Sequence, residues 1–201
     1  MSAVRRELEY FFGALRFFTR IPAPAWVGHS QDRLDHAARY FPLIGALVGA
    51  IGGLVTLTAA LVLPLSIAIV LGMAATILAT GAFHEDGFSD TCDGFGGGWD
   101  KAQVMAIMKD SRVGSYGAVG VTMMLLAKFN ALSALEIGLV LPALVAGHAI
   151  SRLASTALIH ALDYVRDDAS GKAKPLANRM GRGELALAGL FGLAPCLALP
   201  W

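Results

Sequence analysis

Between His84 and Gly98 the chain reads HEDGFSDTCDGFGGG, which puts Glu85, Asp86, Asp90 and Asp93 within nine residues. Asp86, Asp90 and Asp93 fall at i, i+4 and i+7, so a helix through this stretch stacks three carboxylates on one face. Like charges at that spacing repel and hold on to protons unless a cation compensates them. All-oxygen ligand sets suit hard divalent cations, and Mg²⁺ in particular is held by a few carboxylates together with substrate phosphates. The expectation is a metal on Asp86, Asp90 and Asp93, with phosphate chemistry beside it. An acidic, solvated loop is the competing explanation. Against it, no Lys or Arg occurs in the sixteen residues after His84, and the acids alternate with glycine and small side chains. His84 itself reads as an interfacial residue at a helix end. Gly94, Gly96, Gly97 and Gly98 offer either successive amides for a phosphate or a hinge. No Lys-Ser/Thr follows them, so this is not a P-loop.

Further along comes MKDSRVGSYG, with Lys109, Asp110, Ser111 and Arg112 together. The planar fork of Arg112 fits phosphate oxygens, and Asp110 adds a further metal ligand or a base. Snorkelling at a membrane surface explains the two cations equally well, but not Asp110. Lys128 and Arg152 lie inside long apolar stretches, where an ionisable side chain is costly and is by default a functional candidate. Helical spacing sets His148, Arg152 and Ser155 on one face. Residues 164–182 form a basic loop with five cations, Lys172 and Lys174 among them, suited to an anionic substrate or simply to membrane orientation.

These residues need elements to hold them, and the composition says which kind. Of 201 residues, 56% are hydrophobic and only 15% charged, with mean hydropathy +0.61. A soluble domain carries roughly 25% charged residues, so the chain reads as one integral membrane domain over residues 1–201. A net charge of +1 and a pI near 7.8 exclude the basic surface of a nucleic-acid-binding protein. Cys92 and Cys196 are too far apart for a metal-type pair and read as free thiols.

A bilayer core needs about 20 apolar helical residues. Five stretches approach this: 41–63, 64–83 (opening on Pro64), 113–135, 137–162 and 185–201. The last ends with the chain at Trp201, is short for a span, and leaves open whether the bundle is complete. Residues 5–20 carry Leu8, Phe11, Phe12, Leu15 and Phe18 at helical spacing with arginines opposite, the pattern of an amphipathic helix lying in the interface. Gly45, Gly49 and Gly53 repeat every four residues and invite a second helix to pack closely. Lys and Arg concentrate before residue 41, between His84 and Arg112, and between Asp163 and Glu184, which places all three regions on the cytoplasmic side. The fold expected is therefore all-α, a polytopic membrane helical bundle with an N-terminal interfacial helix.

The runs AFHEDGFSDTCDGFGGG and MKDSRVGSYG, with FPLIGALVG upstream and KFNAL and YVRDDASGKAKPLA downstream, resemble the cobalamin synthase family. That resemblance implies a multi-pass enzyme of the cell inner membrane, with its active site facing the cytoplasm. It implies that Mg²⁺ supports the joining of adenosylcobinamide-GDP to α-ribazole, or its 5′-phosphate, with release of GMP. Carried onto these residues, Asp86, Asp90 and Asp93 hold Mg²⁺, while Glu85 or Asp110 completes the shell or takes the hydroxyl proton. Lys109, Ser111, Arg112, Lys128, Arg152, Lys172 and Lys174 meet substrate. Beyond these small molecules and the lipid bilayer no partner is implied, and an oligomer is left open.

A more distant likeness links Asp90, Asp93 and Gly94 to the opening of the CDP-alcohol phosphotransferase motif, but the Ala-Arg pair of that motif is absent where it belongs. A divalent-cation transporter is the rival from another class. Its carboxylates belong near the bilayer midplane, whereas these sit at the end of a span.

Overall fold

A computed structural model describes residues 2–28, 31–162 and 180–200. Among the described residues it contains helices and no strands. Lys172 and Lys174 lie outside the described residues.

Helix α1 (Ala3–Phe18) starts at Ser2, whose hydroxyl accepts the Arg5 amide. It buries Tyr10, Ala14, Leu15 and Phe18, where Phe18 meets the Phe41 ring edge-on at 4.5 Å. Part of the apolar stripe expected to lie in lipid is thus covered by the chain itself. Leu8 stays exposed, and Phe11 and Phe12 pack against that core. The short α2 (Gln31–Ala37) and a 3₁₀ turn at Ala38–Tyr40 lead into α3 (Phe41–Ala59), with Pro42 in its first turn, where a missing N–H costs nothing.

Pro64 caps α4 (Leu65–Thr80). The expected span 64–83 is interrupted before its end. Gly81 and Ala82 both adopt left-handed backbone, φ 66° and 60°, and the chain turns by 88° into α5 (Phe83–Gly97). A left-handed residue cannot continue the helix, so the break falls two residues before the apolar run ends.

A short α6 (Lys101–Ile107), capped by Asp100 on the Gln103 amide, precedes α7 (Ser115–Ser133) and α8 (Ile137–Ala161). Among the described residues two stretches are long and apolar enough to cross a membrane, Leu34–Ala59 and Ile137–Ala161. A third joins them if the bent α4–α5 pair is one broken span. The chain is an all-α membrane protein. The expected span 113–135 becomes α7, but Lys128 and Asn130 lower its apolarity and it is not among those long apolar helices. Within the expected span 185–201 the elements are short. Only α9 (Arg182–Leu193) forms there before a 3₁₀ turn at Ala194–Ala198, and twelve residues rise about 18 Å, short of a bilayer core of about 30 Å.

The centre of the bundle is α3 against α8. A methyl group added at Gly45 would collide with the His148 carbonyl and the Arg152 side chain. One at Gly49 would meet the Leu144 backbone, and one at Gly53 the Leu141 side chain. The glycine stripe is therefore the groove that seats α8, as its spacing predicts. Helix α9 is tied back through Glu184, which pairs with Arg39 and His36.

Candidate functional site

The bend at Gly81–Ala82 brings the first turn of α5 over α7 and α8, and a cavity of about 430 Å³ opens between them. Its walls are apolar, with Phe88, Met124, Leu132 and Leu144, but its polar members are concentrated. Arg152, 4% exposed, donates to Nδ1 of His148 at 3.1 Å and to the Ser151 hydroxyl at 3.0 Å, and lies 3.4 Å from Nδ1 of His84. Lys128 reaches Nε2 of the same His148 at 3.4 Å. Glu85 lines the cavity as well, and its Oε2 is buried with no hydrogen-bond partner, as is Nε of Arg152. Spacing had set His148 and Arg152 on one face of α8. It gave no reason to join His84, from another helix, to them.

The next residue on α5 points elsewhere. Asp86 is exposed and Asp90 half-buried, one helical turn apart. Asp93 departs from this pair. It is buried, and its two oxygens accept the amides of Gly114 and Gly117, each at 2.8 Å. Gly114 is the N-cap of α7, so Asp93 satisfies two of the free donors at the start of that helix and sits at the positive end of its dipole. A methyl at either glycine would run into the carboxylate. Among the described residues no three His, Cys, Asp or Glu side chains gather closely enough to hold a metal ion. The helix expected to stack Asp86, Asp90 and Asp93 forms, but its third carboxylate is engaged by backbone.

Anchoring Gly114 on Asp93 also holds the preceding loop beside α5. Asp110 there accepts from the backbone and the guanidinium of Arg112, with contacts between 2.5 and 3.0 Å. The side-chain hydrogen bond from Arg112 is the main cause that holds the Asp110 carboxyl down to about 2, well below the usual range. Arg112 is otherwise open, its side chain 87% exposed, and Lys109 and Ser111 are exposed beside it.

The fold and site are those of a helical membrane protein whose short α5 carries Asp86 and Asp90 on one side and lines a basic chamber on the other. Residues 10–200 match the family model described as cobalamin-5-phosphate synthase. An adenosylcobinamide-GDP ribazoletransferase of Shewanella frigidimarina is 50% identical over 196 residues, covering 94% of this chain and 74% of that protein. The protein of the same name from Ralstonia pickettii is 48% identical over 201 residues, covering 98% and 77%. That of Leptothrix cholodnii is 46% identical over 201 residues, covering 98% and 76%. The chain belongs to the cobalamin-5-phosphate synthase family. No solved structure matches it.

Proposed function

We propose that the chain is an adenosylcobinamide-GDP ribazoletransferase. It joins adenosylcobinamide-GDP to α-ribazole or its 5′-phosphate, giving adenosylcobalamin or its 5′-phosphate and GMP. The observation that carries this reading is the two-sidedness of α5, with exposed Asp86 and half-buried Asp90 on one side and His84 and Glu85 lining the basic cavity on the other. A nucleotide diphosphate and an acceptor can then be anchored on different sides of one short helix, with the acceptor hydroxyl and the donor's phosphorus meeting at its first turn.

The reaction moves the phosphoryl group attached to cobinamide from GMP to a ribose hydroxyl, so positioning and neutralisation of charge supply most of the catalysis. Mg²⁺ is commonly held by one or two carboxylates plus substrate phosphates, and Asp86 with Asp90 fits that donor set without a protein-only cage. Bound there, the ion supplies charge neutralisation to the phosphoryl oxygens. Lys109 and Arg112 contribute the cationic flank of the same face, with Ser111 as a hydroxyl donor. Glu85 is the better placed base. Its buried oxygen lacks a partner, whereas Asp110 is committed to Arg112 and is a weak proton acceptor.

The site faces the cytoplasm of the inner membrane in this reading. Fourteen of the sixteen Lys and Arg residues lie in the N-terminal segment, the stretch from His84 to Arg112 and the segment after Asp163, and the remaining two are Lys128 and Arg152.

Release of GMP from adenosylcobinamide-GDP by the purified protein, with and without α-ribazole and Mg²⁺, tests the assignment. GMP that depends on both is the expected result. Hydrolysis indifferent to ribazole, or cation flux without GMP, would overturn it.

A further inference from the structure

The basic cavity is on the opposite side of α5 from Asp86 and Asp90, and it needs an occupant of its own. Two cationic side chains, Lys128 and Arg152, face it against one carboxylate, Glu85, among the described residues. Both cations lie against the single imidazole of His148, whose neutral ring has one acceptor nitrogen; with Nδ1 accepting from Arg152 the ring offers Lys128 no acceptor, and it gives neither cation a countercharge. Uncompensated positive charge between helices of a membrane protein is unfavourable, and Nε of Arg152 stays buried and unpaired. An anion with several acceptor oxygens resolves both problems. The planar guanidinium and the ammonium beside it are the usual pair for phosphate.

We propose that this cavity binds the 5′-phosphate of a phosphorylated ribazole acceptor, with Lys128 and Arg152 as its cationic contacts and His84 and His148 as flanking donors. The inference rests on the transferase reading and deepens it. The two phosphate groups are held on different sides of α5, the donor's diphosphate at Asp86 and Asp90 and the acceptor's monoester within, and the ribose hydroxyl between them reaches the donor's phosphorus around the first turn of the helix, bonding to it as the bond to GMP breaks. The apolar walls, Phe88, Met124 and Leu144 among them, suit the flat benzimidazole ring that the same molecule carries. Glu85, in the first turn of α5 and lining the chamber, then lies where the ribose hydroxyl leaves it toward the donor's phosphorus.

Lys128 is the residue to change, because Arg152 is almost fully buried and its loss endangers the bundle. Wild type, Lys128→Met and Lys128→Arg, each purified as the full chain, are compared for acceptor-dependent GMP release with α-ribazole 5′-phosphate and with α-ribazole. The preference for the phosphorylated acceptor, as a ratio of kcat/KM values, is expected to fall about tenfold or more in Lys128→Met, the loss of one charge-assisted contact. Lys128→Arg is expected to recover most of it. An unchanged ratio, whatever happens to the absolute rates, overturns the proposal.

Calorimetric titration with α-ribazole 5′-phosphate, α-ribazole and inorganic phosphate decides independently of turnover. Saturable binding of the phosphorylated acceptor that weakens in Lys128→Met supports the cavity, even if GMP release fails and the transferase reading falls with it. Equal binding of the two ribazoles, or phosphate binding indifferent to Lys128→Met, refutes it.

Discussion

The carboxylate of Asp93 accepts the amide of Gly117 at 2.8 Å, twenty-four residues away in sequence, and so fastens the acidic helix α5 to the first turn of α7. With the matching bond to Gly114 it fixes both the start of α7 and the loop carrying Arg112. Replacing Asp93 by Asn removes the negative charge and turns one acceptor into an NH₂ that opposes an amide donor. Asp93→Asn is expected to destabilise the fold by about 2 kcal/mol, the usual cost of breaking hydrogen bonds to a buried charged group. Thermal unfolding in detergent micelles checks this. An unchanged midpoint would remove the structural role of Asp93.

Asp90, one turn earlier, gives the contrasting outcome. In the proposed reading it binds Mg²⁺ with Asp86. Asp90→Asn is therefore expected to raise the half-saturating Mg²⁺ concentration by at least about tenfold while lowering the unfolding midpoint less than Asp93→Asn does. Titrating GMP release with Mg²⁺ in both variants separates the roles. A Mg²⁺ response changed only by Asp93→Asn would exchange them.

This division between neighbouring aspartates marks the limit of what spacing reveals. The i, i+4, i+7 pattern puts three carboxylates on one helical face, and α5 does carry them so. A face, however, is shared between solvent and whatever packs on it, and the glycines that claim Asp93 lie 21 and 24 residues on, with no local periodicity to announce them. Two glycines three apart in the opening turn of a helix, Gly114 and Gly117, are the one hint that a bulky group approaches closely. The long apolar helices α3 and α8 were legible because burial in lipid imposes an unbroken composition. The α4–α5 bend was not, since apolar residues continue to Phe83 and the left-handed pair Gly81–Ala82 includes an alanine, which rarely takes that conformation.

Asp110 yields a pH prediction. Its carboxyl lies near 2 in the folded protein, against 3.8 ordinarily, chiefly through the Arg112 hydrogen bond. A carboxyl depressed by folding contributes stability that is present above its unfolded value and is lost as pH falls through its folded one. The contribution is thus complete at neutral pH, declines below about pH 4 and is gone below about pH 2. Wild type is expected to show no Asp110 step in the GMP-release profile above pH 4. In Arg112→Ala the carboxyl returns toward its ordinary value. Carbon-13 NMR titration of labelled aspartate in the two proteins measures the shift. An Asp110 that titrates identically in both would show that the pair does not persist in solution.

Gly45 connects packing to the chamber. It lies on α3, makes no catalytic contact, and is where α8 presses closest, with the His148 carbonyl and the Arg152 side chain occupying the space a methyl would need. The obstacle is partly backbone, so Gly45→Ala cannot be absorbed by a rotamer change alone. Helix α8 must shift outward, at a cost of about 1–3 kcal/mol for overpacking a close contact. That shift moves His148 and Arg152 together relative to Lys128 on α7 and Glu85 on α5. A Gly87→Ala control adds the same methyl to a helical position with open space around it. Gly45→Ala is expected to lower the unfolding midpoint and to raise the KM for the ribazole acceptor more than that for adenosylcobinamide-GDP, whereas Gly87→Ala leaves the unfolding midpoint near wild type. A uniform loss of kcat with both KM values unchanged would mean that the α3–α8 groove sets overall stability but not the shape of the cavity.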